Sequence, residues 1–183
     1  MSPATALVLD RSHGTSPFVG RAGELRVLTD LLREACELRG GVVLLTGEPG
    51  IGKTRLLDAL IAEATDGGAT VLRGRCWEDA GAPPFWPWVE VLEEVRRGRV
   101  HAELRTLLGR GAPAIAALVP GIAEALPDVE PPADQISPSA RFRLLESVAH
   151  LLKALATPTR PLLVVIDDLH GADRPSLLLL EFV

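Results

Sequence analysis

Apolar residues fall at helical spacing in three stretches of the chain and in short unbroken runs at three others. Leu25, Leu28, Leu32, Ala35 and Leu38 predict a helix over 22–39, which Gly40–Gly41 stops. Leu56, Leu57, Leu60, Ile61 and Ala64 line one stripe of a second helix from Lys53 to about Thr65, ended by Gly67–Gly68. Phe142, Leu145, Val148, Leu152 and Leu155 predict the inward face of a third over 141–156. Val42–Thr46, Ala69–Arg73 and Leu162–Ile166 are short, β-branched and mostly apolar, the pattern of strands buried on both faces. The order strand, helix, strand over 42–73 predicts a right-handed parallel crossover.

The rest of the chain is punctuated by Gly and Pro. Residues 1–16 mix Ser, Thr, Gly and Pro and are expected to form a flexible leader. Gly81–Trp88 reads as a Pro- and aromatic-rich turn leading into a helix over 88–97. From Gly98 to Pro138 short helices are expected, broken at Pro113, Pro120, Pro127 and Pro131–Pro132, and a last helix begins at Pro175. The expectation is one α/β domain over 17–183, with an Ala/Leu/Pro-rich helical insert at about 89–140.

Composition narrows the class. Of the 183 residues, 47% are apolar and 23% charged, enough for one domain with a core. The net charge of −5 argues against gripping nucleic acid by charge alone. Cys36 and Cys76 form no CxxC and are read as packing residues. The only apolar stretch near the start is Ala6–Leu9, too short for a signal peptide, and no run approaches a membrane span. A cytoplasmic location without membrane partners is the default expectation.

The chemistry lies at two strand ends. Gly47-Glu48-Pro49-Gly50-Ile51-Gly52-Lys53-Thr54 fits GxxxxGK[ST] and sits between a predicted strand and a predicted helix, the context that phosphate cradling requires. Glycines let successive backbone N–H groups converge on an anion, and the helix start that follows favours negative charge. Lys53 is expected to reach the β- and γ-phosphates, and Thr54 to offer its hydroxyl to magnesium. The run Leu162–Ile166 delivers Asp167 and Asp168 to a strand end, where ligands of open α/β sheets bind. Asp167 is the expected magnesium partner, through a water, and Asp168 stands where a water-activating acid would sit. Lys53 and Asp168 are thus the candidate catalytic residues, and Thr54 and Asp167 the candidate metal residues. The expected ligands are ATP and Mg2+. GTP is disfavoured because guanine recognition commonly uses an Asn-Lys-x-Asp motif and the chain contains no asparagine.

Other residues admit a plainer reading. Phe18-Val19-Gly20 is a candidate adenine-lining segment or a hydrophobic staple at a helix start. Trp77, Phe85, Trp86 and Trp88 are expected to anchor the Pro-rich loop to the core rather than stack bases, because no basic cluster surrounds them. His170 is read as a packing or capping residue, with γ-phosphate sensing as the alternative; Arg73 and Arg75 are read as surface residues, with phosphate contact as the alternative, and Arg141 and Arg143 as surface residues.

The segments FVGRAGEL (18–25), LLTGEPGIGKTRLL (44–57), RGRCWEDAGAPPFWPWVEVL (73–92), ARFRLLESVAHLL (140–152) and PLLVVIDDLHGAD (161–173) together resemble the AAA-like ATPase module of STAND-type signalling proteins. The likeness is strongest to large ATP-binding LuxR-type regulators, and extends to modules fused to nucleotide cyclases or kinases. It implies a P-loop NTPase three-layer sandwich with a mostly parallel sheet, incomplete at the C-terminus. Lys53 and Thr54 correspond to the Walker A pair and Asp167 to the Walker B metal acid. Phe18, Val19 and Gly20 correspond to the segment flanking adenine. Asp168 stands where AAA+ motors carry glutamate, a pattern that implies a slow nucleotide switch. Ala22 and Gly171 depart from the family, which often has an acid and a tryptophan there.

The resemblance also implies that the chain is an N-terminal piece of a larger protein, lacking a fourth strand between the P-loop and Walker B strands. DNA contact would then come only through a domain not present here, with self-association or further domains as other partners. Against the switch stand an active AAA+-type ATPase and, less well matched, a P-loop small-molecule kinase.

Overall fold

The computed structural model describes residues 21–37, 40–48, 50–77 and 82–183. The expectations for the 1–16 leader, for Phe18, Val19, Gly20, Leu38, Arg39, Pro49 and Gly81, and for the Cys36 side chain lie outside the described residues.

Two parallel strands form the sheet of the described residues. β1 (Thr70–Arg75) pairs with β2 (Leu162–Asp167) in the register Thr70↔Leu162 to Arg75↔Asp167. Helices cover both faces. On one face α1 (Ala22–Cys36) and α2 (Lys53–Asp66) bury Leu28, Leu56, Leu57 and Leu60 against Val165. On the other, α3 (Trp86–Arg96), α4 (His101–Leu108), α5 (Ala112–Leu118), α6 (Pro120–Ala125), α7 (Pro138–Leu155) and α8 (Arg174–Phe182) enclose a larger core that receives Leu72 and Ile166. The pleat explains the division: Leu72 and Ile166 project from one face, Val165 and Asp167 from the other.

Helix ends follow local chemistry. α2 closes in a Schellman turn, with Gly68 at φ +82°, the Gly68 N–H on the Thr65 carbonyl and the Ala69 N–H on the Ala64 carbonyl. That turn reverses the chain directly into β1, so α2 runs antiparallel to the sheet. α7 starts at Pro138, earlier than the expected 141, because Ser137 caps it by accepting from the Ala140 N–H. Pro113 and Pro120 open α5 and α6 rather than interrupting helices, since the first turn of a helix tolerates a missing N–H.

Several expectations are corrected. Val42–Thr46 forms no strand: it has no ladder partner among the described residues, and only Val43 and Leu45 seat on the α1–α2 cluster while Leu44 faces solvent. A β-branched run becomes a strand only where a neighbouring edge supplies hydrogen bonds. The expected crossover through α2 is therefore not formed; the parallel pair is joined instead through α3–α7. The full three-layer sandwich is not displayed, although the helix–sheet–helix layering is. Phe142, expected inward, is 54% exposed and meets Phe182 edge-on at 5.6 Å. The α3 helix begins at Trp86, two residues before the expected start.

Candidate functional site

The Gly-rich loop leads directly into α2. Gly50 (φ +79°) and Gly52 (φ +93°) adopt left-handed backbone, a conformation that costs side-chain-bearing residues about 1–2 kcal/mol. Gly52 is the N-cap of α2 and, having no side chain, leaves the first N–H groups of the helix uncapped. Uncapped donors at the positive end of a helix form a ready anion cradle. The Lys53 ammonium folds back over the loop and donates to the carbonyls of Gly47 (2.8 Å) and Glu48 (2.9 Å). Arg21, just before α1, braces the same loop by donating through Nη2 to the Ile51 carbonyl at 2.6 Å.

The acidic pair ends β2. Asp167 and Asp168 are both buried, and Asp167 Oδ1 accepts the Asp168 N–H at 3.0 Å. Asp167 projects from the sheet face that α2 covers, as Val165 does two residues earlier. α2 is antiparallel to β1, and Arg73 Nη2 reaches Asp58 of α2 at 3.4 Å. From that contact α2 rises toward Lys53 while β1 rises toward Arg75, opposite Asp167. The Gly-rich loop and Asp167 therefore belong to the same face and the same end of the sheet.

Asp168 is placed differently from a free acid. It stands at φ +53°, which Asp tolerates better than most residues, and its side chain is 5% exposed. Its Oδ2 accepts from Arg75 Nε at 2.7 Å and lies 2.6 Å from Arg75 Nη2. Arg75 is exposed, as expected, and yet pairs with the acid, while Arg73, expected at the surface too, is partly buried. Cys76 is buried beside the acids, and burial, followed by the charges of Asp173, Asp168, Asp167 and Glu90, pushes its thiol up to about 12.

The residues present suit a magnesium nucleotide. The uncapped amides and the Lys53 ammonium suit phosphate oxygens, whereas the Thr54 hydroxyl and the buried Asp167 carboxylate are the oxygen groups that Mg2+ accepts, since the ion keeps waters and phosphate oxygens for its other positions. No group of three or more His, Cys, Asp or Glu among the described residues could by itself hold a metal. His170 is exposed, in a short 3-10 turn after Asp168. Of the aromatics, Trp88 anchors the core, donating from Nε1 to the Ser176 carbonyl, while Trp77 is exposed and edge-on to Trp86 at 6.4 Å. A groove of about 500 Å³ lined by Thr70, Glu94, Arg97, Arg99 and Arg160 opens at the other end of β1 and contains none of the motif residues.

Sequence reasoning did not foresee Glu90 and Glu94, which accept the N–H groups of Arg75 and Arg73 at 2.7 Å each, or the Arg21 brace. The glutamates carry a signal only in retrospect: spacing of four on a helix beside a strand. No described helix is long and apolar enough to cross a membrane. Searches of curated proteins and of solved structures return no significant match. The family model for the AAA ATPase domain matches residues 17–183, nearly the whole chain, and with the Gly-rich loop and acidic strand end at one end of the sheet, the chain belongs to the AAA ATPase domain family, whose general property is nucleotide binding.

Proposed function

We propose that the chain is an ATP-binding switch module of a signalling or transcriptional regulator, with magnesium as the companion ion and slow hydrolysis at most. What supports the reading is the course of α2, which leads back from the Asp58–Arg73 contact to Lys53 as β1 and β2 lead to Arg75 and Asp167. In this reading the backbone N–H groups of residues 50–54 and the Lys53 ammonium hold the β- and γ-phosphates, and Phe18, Val19 and Gly20 flank the adenine. Thr54 and Asp167 hold the ion, which when bound neutralises phosphate charge. Asp168 is the acid that would orient a water. The whole of 17–183 serves as the ATPase domain, with residues 89–140 as its helical insert. The regulator role rests on the sequence resemblance, with DNA contact only through a domain outside these residues and a cytoplasmic setting.

The test is a fluorescence titration of the chain with a labelled ATP analogue and Mg2+, beside Lys53→Ala. Losing a charge-assisted contact should weaken binding by about 1.5–3 kcal/mol. Equal affinities for the two proteins would refute the site. Retention of nucleotide with negligible phosphate release supports the switch, whereas rapid steady-state release abolished by Asp168→Asn supports an active ATPase.

A further inference from the structure

We propose that the groove at the amino end of β1 is a docking site for an extended acidic segment of a partner protein. It lies at the opposite end of the strand from Asp167 and shares no residue with the proposed nucleotide site, so the inference goes beyond that reading. The chain carries a net charge of −5, yet this groove of about 500 Å³ gathers Arg97, Arg99 and Arg160 against one carboxylate, Glu94. Two turns of the backbone bring the guanidinium groups there. α3 gives way at its C-cap Arg97, and Gly98, at φ +74°, turns the chain so that Arg99 also lines the groove. Arg160 comes from a tight turn before β2, in which Thr157 and Arg160 exchange N–H to carbonyl bonds of 3.0 Å each.

The positive charge there is only partly met. Arg97 Nη1 lies 3.6 Å from Glu94 Oε1, and Arg99 donates to the Val95 carbonyl at the negative end of α3. Glu94 Oε2 is already engaged by the Arg73 N–H at 2.7 Å. Arg160 is exposed, and its guanidinium has no partner among the described residues. Like charges held in one groove favour an anion between them, because each guanidinium offers several donors and no acceptor. The backbone indicates which kind of anion. α3 serves the outward N–H groups of Arg73 and Arg75 through Glu94 and Glu90. Val71 faces the same way, and neither its N–H nor its carbonyl is taken among the described residues. A bare oxyanion accepts from that N–H but has nothing to donate to the carbonyl. An extended peptide does both, as in strand addition to a sheet edge, and its alternate side chains bring carboxylates to the arginines. The polar, open lining also differs from the mostly apolar, enclosing walls of small-molecule sites.

The test follows the fluorescence polarisation of a labelled oligoglutamate on titration with the full chain, without nucleotide. Wild type should bind it, less tightly as salt is added, and Arg160→Glu should weaken binding about tenfold. Lys53→Ala should bind it as wild type does, which separates this groove from the Gly-rich loop. The proposal is overturned if wild type does not bind, if Arg160→Glu binds equally well, or if Lys53→Ala abolishes binding. Displacement of the peptide by an equal concentration of pyrophosphate would mark a plain oxyanion site and overturn it as well. Should Arg160→Glu fail to fold, Arg97→Gln, at a side chain 68% exposed, must weaken binding, and unchanged affinity there overturns the proposal.

Discussion

Asp168 has a side chain with little access to water, and a guanidinium 93 residues away in sequence comes to meet it. Removing that partner leaves an uncompensated carboxylate. Arg75→Ala should therefore lower stability by about 1–3 kcal/mol in urea denaturation, below the roughly 3–5 kcal/mol of a fully buried pair because Arg75 is half in solvent. Adding Asp168→Asn should recover part of the loss, and a purely additive double mutant would show that the two do not interact. The neighbouring Cys76 gives a pH prediction. Its thiol stays neutral in the fold up to about 12 while an unfolded thiol ionises near 9.0. Above 9.0 the unfolded state therefore releases a proton that the fold retains, and stability falls as pH rises from 9.0 toward about 12. In a Cys36→Ser background without nucleotide, alkylation at about pH 8.5 should be slow in the native chain and fast in urea; equal rates would contradict the shift. The contrast between what was legible and what was not lies at this scale. Lys53, Thr54, Asp167 and Asp168 could be read because a loop motif and a strand end are local in sequence. The partner of Asp168 could not, because Arg75 reads as an ordinary solvent-facing arginine until the fold brings the two strand ends together.

At the scale of elements, the lesson is how an edge is closed. The odd-numbered N–H groups of β1 point away from β2, and an open edge invites another strand. Here α3 lies along that edge and offers Glu90 and Glu94, whose separation of about 6 Å on a helix matches the roughly 6.6 Å between Arg73 and Arg75 on the strand. Glu90→Ala with Glu94→Ala should cost about 1–3 kcal/mol per orphaned N–H and promote concentration-dependent association, visible by light scattering. An unchanged, monodisperse double mutant would show that water serves the edge equally well. Gly74→Ala tests the same seam by shape: the clash is with backbone, which cannot rotate away, so destabilisation should equal or exceed the roughly 1–3 kcal/mol of overpacking. Helices were legible here because their apolar stripes are self-contained, as in Leu56, Leu57, Leu60 and Ala64 of α2. Val42–Thr46 was misread as a strand because a strand is a relation between two segments, and composition describes only one of them.

Across the whole molecule the sheet separates two unequal cores. The α1–α2 side that carries the Gly-rich loop buries Leu28, Leu56, Leu57, Leu60 and Val165, whereas the opposite side packs α3 to α8 around Trp88, Val91, Leu92, Ile115, Ile122 and Leu151, all essentially inaccessible. Apolar burial sets the free energy of local opening, so the two sides should not open together. Amide hydrogen exchange should be faster in α1 and in the first turns of α2 than in α3 and α7. A ligand adds RT ln(1 + [L]/Kd) only to those openings that destroy its site, about 2.7 kcal/mol at one hundred times Kd. Magnesium ATP at that level should therefore slow exchange through α2 by about a hundredfold and leave sub-global openings confined to α4–α6 untouched, while Lys53→Ala at the same concentration should show a smaller effect. Uniform protection of both sides would mean that the molecule opens only as one unit, and that nucleotide at the loop is felt equally by the helical layer that grips Arg75.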